Sequence, residues 1–208
     1  MKFVAHRGFS LKHKDNSVIA IREAVDRNYD GVEIDVQLCK SGELILYHDI
    51  YIDNSFVSDL TYKELKTKCV CSLPEVYNHV PELNNTLLII DMKGNNIEIC
   101  EALRLFFLER STHSVYFCSF NRNLIHNLPS YFLKGATFET TFIENEYDFI
   151  LRDLNAVVLH WTCLDEKLIE YCKKNNICVF TYTHKEDMEL TYMLKYDVDG
   201  VITNGFQC

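Results

Sequence analysis

The chain has 208 residues, 48% of them apolar and 25% charged, with a net charge of −9 at neutral pH. That length supports one sizeable core and leaves little room for a second, so residues 1–208 read as a single domain. The acidic balance excludes a general nucleic-acid binder, which presents a basic face, and no apolar run is long enough to make a membrane span.

In chain order, strand-like runs are predicted over Phe3–Ala5, Val32–Val36, Leu87–Met92, Val115–Ser119, Ala136–Glu139, Ala156–His160, Cys178–Thr183 and Gly200–Thr203. Helical spacing falls between them, over Ser17–Asn28, Leu73–His79, Ile97–Glu109, Arg122–Asn127, Glu146–Arg152, Glu166–Asn175 and Glu186–Tyr196. Asn16 or Ser17 can cap the first helix, and Asp165 can cap the one that starts at Glu166. After the second strand, Lys40-Ser41-Gly42-Glu43 is a turn and Leu44–Tyr47 returns as a hairpin strand. Short strands alternating with helices predict a parallel sheet, and eight of them predict a closed (β/α)8 TIM barrel in a minimal version. Only Gly205–Cys208 lie beyond the last strand's following residue, so no final helix is expected. The flank left bare calls for either a homodimer contact or cover from the first and last helices.

The nine cysteines sit inside these patterns and include no C-x-x-C pair. Their odd number, together with a first motif that begins too early for a signal peptide, predicts reduced thiols in a cytoplasmic protein.

Chemistry gathers at the strand ends. The first strand stops on His6-Arg7-Gly8, the second carries Glu33 and Asp35, the hairpin strand stops on His48-Asp49, and the third stops on Asp91-Met92-Lys93. Side chains alternate along a strand, so Glu33 and Asp35 share a face about 7 Å apart while Val32, Ile34 and Val36 face an apolar layer. Two carboxylates on one face repel unless something positive lies between them, and a divalent cation with oxygen ligands is the simplest answer. Relief of that repulsion by Glu33→Gln or Asp35→Asn is expected to raise stability without metal. In (β/α)8 enzymes the active site occupies the C-terminal strand ends, where all four clusters fall. Two titrating bases, cations and a divalent ion describe a centre for cleaving a phosphodiester. Of the remaining histidines, His13, His79, His113, His126 and His184 read as solvated, while His160 falls on the correct rim.

Taken together, His6-Arg7-Gly8, Asp15-Asn16-Ser17, Gly31-Val32-Glu33-Ile34-Asp35-Val36, His48-Asp49, Leu73-Pro74-Glu75-Val76, Ser119-Phe120 and Asp199-Gly200-Val201-Ile202-Thr203 resemble the glycerophosphodiester phosphodiesterase family across the whole chain. The resemblance implies hydrolysis to glycerol 3-phosphate and an alcohol, with a glycerophosphodiester as small-molecule partner and one divalent cation, Mg2+ or Ca2+, as cofactor. It makes His6 and His48 the acid and base, Glu33, Asp35 and Asp91 the metal ligands, and Arg7 and Lys93 the phosphate contacts. It also implies that the substrate's own glycerol hydroxyl attacks first, giving a cyclic phosphate that water then opens. The chain departs from the pattern in carrying Asp91 where the family usually has Glu, Tyr182 where Trp is frequent, and a short Ile50–Cys71 insertion. Two alternatives stay open. One is a weakly catalytic barrel that binds phospholipid headgroups or a protein partner. The other is a phospholipase D-like relative, whose larger lipids need an apolar mouth that Phe56, Val57 and Leu60 in the short insertion are too few to establish.

Overall fold

Period-two alternation fixes which side chains enter the barrel, and the computed structural model, which describes residues 1–204, follows that alternation on every barrel strand. The strands and helices are β1 (Lys2–His6), α1 (Val18–Asp26), β2 (Gly31–Leu38), β3 (Leu44–Leu46), β4 (Tyr51–Ile52), β5 (Ser55–Phe56), α2 (Tyr62–Thr67), α3 (Leu73–His79), β6 (Leu87–Met92), α4 (Glu98–Phe106), β7 (Val115–Cys118), α5 (Arg122–Asn127), β8 (Leu133–Phe138), α6 (Tyr147–Ile150), β9 (Ala156–His160), α7 (Glu166–Lys174), β10 (Cys178–His184), α8 (Asp187–Met193) and β11 (Gly200–Thr203). The parallel strands β1, β2, β6, β7, β8, β9, β10 and β11 pair in that circular order, and β11 returns to β1 to close the barrel. Strand β3 adds to β2 in the antiparallel sense, as the hairpin reading requires. The expected lack of a final helix concerns residues 205–208, which lie outside the described residues. The flank between β11 and β1 carries a groove lined by Met1, Phe3, Leu190 and Leu194. No helix among the described residues is long and apolar enough to cross a membrane.

Two layers of apolar side chains hold the barrel. Val32, Ile34 and Val36 of β2, Leu88, Ile90 and Met92 of β6, and Val157 and Leu159 of β9 point outward into the main core under the helices. Val4, Leu87, Ile89, Cys118, Ala156, Val158, Phe180 and Ile202 point inward and fill the barrel floor. Each buried aliphatic side chain contributes about 1.5–3 kcal/mol relative to exposure, so the outer layer supplies most of the hydrophobic stabilisation. Further along most of the strands, the inward positions turn polar, with Phe120 after β7 as an exception.

Gly8 and Gly135 are among the glycines held by lack of space. Gly8 has φ +78°, and a Cβ there would meet the backbone carbon of Ala20 at 2.6 Å. Only glycine lets the chain turn after Arg7 while its backbone lies against the start of α1. Gly135 gives up its inward position to Cys118, whose sulfur would stand 2.4 Å from an added Cβ.

The insertion after β3 is more ordered than its sequence suggests. It contains the β4–β5 hairpin and α2, which starts with a reciprocal cap between Thr61 and Glu64. Cys39, Ile45, Ile52, Val57, Leu65 and Val70 form a small core of its own. Ser17 caps α1 by accepting from the Ala20 amide at 3.1 Å, and Asp165 caps α7 by accepting from Leu168 at 2.8 Å. Asn16 does not cap. Every cysteine among the described residues is a free thiol.

His184 corrects the expectation of a solvated side chain, since it is fully buried. Its ring lies 2.9 Å from the Thr181 hydroxyl through Nε2 and packs near Trp161. Burial lowers its pKa from 6.5 to about 4. The folded value lies below the unfolded one, so on acidification the unfolded chain takes up the proton first. Stability from this group is complete above the unfolded pKa and falls as pH drops toward 4, with a slope approaching about 1.4 kcal/mol per pH unit. Urea midpoints of the wild type and His184→Gln across that window measure it. Identical slopes would show that His184 does not titrate in this way.

Candidate active site

The sequence-predicted residues converge at the C-terminal mouth of the barrel, around a cavity of about 530 Å3. His6, Arg7, Glu33, Asp35, His48, Asp91 and Lys93 all line it. The inward series explains why. Val4 is followed by His6 on β1, Ile89 by Asp91 on β6, and Glu33 and Asp35 share the same face of β2 in register with β6.

Glu33, Asp35 and Asp91 each bring a carboxylate oxygen to within 4.8 Å of the other two, and all three residues are buried. Their fates differ. Burial pushes the Glu33 carboxyl well up, helped by the charges of Asp35 and Asp91. Asp91 rises to about 6, again mainly through burial. Burial works against ionised Asp35 too, but Lys93 and Arg7 outweigh it and hold this carboxyl below its ordinary value. Lys93 Nζ lies 3.0 Å from Asp35 Oδ1 and 2.5 Å from Asp91 Oδ2. Arg7 Nε lies 3.0 Å from Asp35 Oδ2, and Nη1 donates to Asp15 at 3.1 Å. The acids are therefore balanced by side chains as well as by any ion. Relief of repulsion applies to Glu33 alone, because Asp35 is the anion that both cations neutralise.

The donor set fits a hard divalent cation. It is all oxygen, the three acids converge, and buried Asp91 Oδ1 has no hydrogen-bond partner among the described residues. Asn16 supports this centre rather than a helix end. Its Nδ2 donates to Asp35 Oδ2 at 2.8 Å, and its Oδ1 accepts from the Asp35 amide at 3.0 Å. The left-handed backbone at Asn16, φ +54°, turns the side chain inward, a conformation that Asn tolerates better than most residues.

The two histidines reach the mouth differently. His6 is held by Asn204, with Nδ1 2.6 Å from Oδ1, which leaves Nε2 free 4.0 Å from Glu33 Oε2. Burial lowers its pKa to about 4, with Arg7 contributing. His48 follows the hairpin strand, and its Nδ1 lies 2.8 Å from Asp49 Oδ1. Gln37, an inward residue of β2, donates to the carbonyls of Tyr47 and Asp49 at 2.6 and 2.8 Å and so clamps the turn that carries His48.

Across the mouth lie Phe120, Thr137, Glu139, His160, Tyr182 and Lys185. His160 and Phe120 stand where their strand ends predict. Gln37, Asn204 and Glu139 carry no sequence signal beyond Glu139's place at a strand end, and Asn16, a cap candidate within the Asp15-Asn16-Ser17 element, shows its bond to Asp35 only in the tertiary structure.

The model of the glycerophosphoryl diester phosphodiesterase family matches residues 6–207. The chain belongs to that family. A glycerophosphodiester phosphodiesterase from Caldanaerobacter subterraneus is 27% identical, with 97% of this chain and 93% of the relative covered. Among solved structures, the glycerophosphodiester phosphodiesterase from Thermotoga maritima superposes with a TM-score of 0.82 at 22% identity, covering 98% of this chain and 94% of its own. An Oleispira antarctica phosphodiesterase, solved with sn-glycerol 3-phosphate, superposes with a TM-score of 0.86 at 17% identity, covering 98% and 93%. At these identities the two structures speak for the (β/α)8 fold. The family makes this chain a phosphoric diester hydrolase.

Proposed function

We propose that the chain hydrolyses glycerophosphodiesters to glycerol 3-phosphate and an alcohol, with His6 and His48 as the acid–base pair and one divalent cation, Mg2+ or Ca2+, held by Glu33, Asp35 and Asp91. The observation that carries this reading is the single mouth that joins three buried carboxylates, two half-buried cations and two histidines. The product seen with the Oleispira neighbour is in keeping with it.

A bound cation would polarise a phosphoryl oxygen and offset charge that develops there. Arg7 and Lys93 stand close enough to the same acids to meet the other non-bridging oxygens. With a proton on Nδ1 facing Asn204, His6 presents a bare Nε2 that can take the proton of the glycerol hydroxyl. That hydroxyl oxygen forms a bond to phosphorus as the bond to the alcohol oxygen breaks. His48, with Asp49 accepting from Nδ1, can deliver a proton from Nε2 to the departing oxygen. Water then opens the cyclic phosphate with the two histidines exchanging roles.

The direct experiment is release of glycerol 3-phosphate from glycerophosphocholine and glycerophosphoethanolamine, with and without chelator. Release that stops on chelation and returns with Mg2+ or Ca2+ is expected. No release under any metal condition would overturn the reading.

A further inference from the structure

Half of the cavity has no task in the chemistry above. Around the barrel, β1, β2 and β6 supply the charged side, while the inward positions at the ends of β7, β8, β9 and β10 supply Phe120, Glu139, His160 and Tyr182. The Tyr182 ring meets Phe120 edge-on at 6.3 Å between centroids and meets His160 edge-on at 5.8 Å. Its hydroxyl donates to the Phe138 carbonyl at 3.1 Å, which fixes the ring. The ring assembly is anchored from behind as well, because His160 stacks on Trp161. Burial, reinforced by the neighbouring Glu139 carboxylate, drives the Tyr182 phenol far above its ordinary pKa, so it stays neutral.

This wall is suited to one kind of group. Glycerol carries hydroxyls that need donors and acceptors, and aromatic faces offer few. Ser10 and Asn204 lie with His6 on the opposite side of the cavity, where polar partners are plentiful. A cationic group needs no hydrogen-bond donor from the wall. It is attracted by the faces of aromatic rings and by a carboxylate. Phe120 already shows this geometry, with the Lys93 ammonium 5.9 Å from its ring centroid. Phe120 is also about half exposed to the cavity mouth, at 48%, so its ring has area left for a ligand. Two opposing charges stand by this side: Lys93 is paired with Asp35 and Asp91, and Lys185 is exposed, where solvent screens it.

Resting on the function proposed above, we propose that Phe120, Glu139, His160 and Tyr182 receive the leaving alcohol of the diester and select one that carries a positive charge, such as choline. Phosphate then lies against Arg7 and Lys93, the glycerol arm stays on the side of His6, and the ammonium end crosses to the rings and Glu139.

The test compares kcat/KM for glycerophosphocholine with that for glycerophosphoglycerol, whose leaving group is a neutral alcohol. Wild type is expected to favour glycerophosphocholine by about ten-fold, the scale of one partly desolvated cation–π contact with a nearby carboxylate. Glu139→Gln and Phe120→Leu should each erode that ratio, mainly through KM. Equal kcat/KM for the two diesters, or a ratio unmoved by both variants, would overturn the proposal. So would a preference for glycerophosphoserine, whose carboxylate Lys185 could take. If neither diester is cleaved, the function reading fails by itself. Choline binding to the protein, read by saturation-transfer NMR, then decides this inference independently. Saturable binding lost in Glu139→Gln supports it, and absence of choline binding overturns it.

Discussion

Replacing His6 or His48 with alanine is expected to lower turnover of glycerophosphodiesters by about two to four orders of magnitude, the range for losing a positioned acid or base. The fold should survive both changes. His6 reaches the mouth from the last residue of β1, after Val4 and Ala5 have made the packing contacts of that strand. His48 is half-exposed and belongs to no hydrophobic core, while Gln37 grips the backbone on either side of it rather than the ring. Single-turnover release of glycerol 3-phosphate, beside a thermal melt of each variant, separates chemistry from folding. A soluble variant with near-normal turnover would remove that histidine from the mechanism.

The second large effect concerns the acids, which should part company once metal is removed. Glu33→Gln and Asp35→Asn are both expected to abolish metal-dependent turnover, since each takes away a charge that a divalent ion requires. In chelator their stabilities should diverge. Asp35 is the buried shared partner of Lys93, Arg7 and Asn16, so its amide variant leaves two half-buried cations poorly compensated. A loss on the order of 3 kcal/mol follows, the scale of breaking a buried pair from one side. Glu33 as an anion is instead disfavoured by burial and by two neighbouring acids, so glutamine removes repulsion and no direct side-chain ion pair to Arg7 or Lys93. Its variant should be no less stable than wild type. Urea unfolding of the three proteins in chelator measures the contrast. Equal losses would show that the two carboxylates share one electrostatic role, and turnover that survives exhaustive chelation would sink the metal assignment.

Much of this arrangement could be read from sequence because it depends on short-range geometry. Alternation puts Glu33 and Asp35 on one face, and the rule that (β/α)8 sites occupy strand ends gathers His6, His48, Asp91 and Lys93 without any coordinate. What escaped was of two kinds. Some signals were weak, as in β8, which begins at Leu133 rather than Ala136 because Gly135 has no side chain to mark its inward position. The Thr61-x-x-Glu64 cap of α2 was present but sat in a segment too short to show helical periodicity. Other features belong to the tertiary structure alone. Nothing near Asn16 in sequence announces that it will bond to Asp35, and nothing in Tyr182-Thr183-His184-Lys185 says that the histidine will be sealed from solvent while the lysine is not.

The two histidines proposed as acid and base are divided between two bodies of unequal robustness. His6 belongs to a strand paired on both sides within the barrel, whereas His48 stands at the edge of an excursion whose own core is six buried side chains. Segments with few buried contacts open at lower free energy than the fold that carries them. Heating should therefore silence the enzyme by loosening the excursion while the barrel still gives its full circular-dichroism signal. The working temperature limit is then a property of residues 39–72, and filling or tightening that small core is the route to raising it.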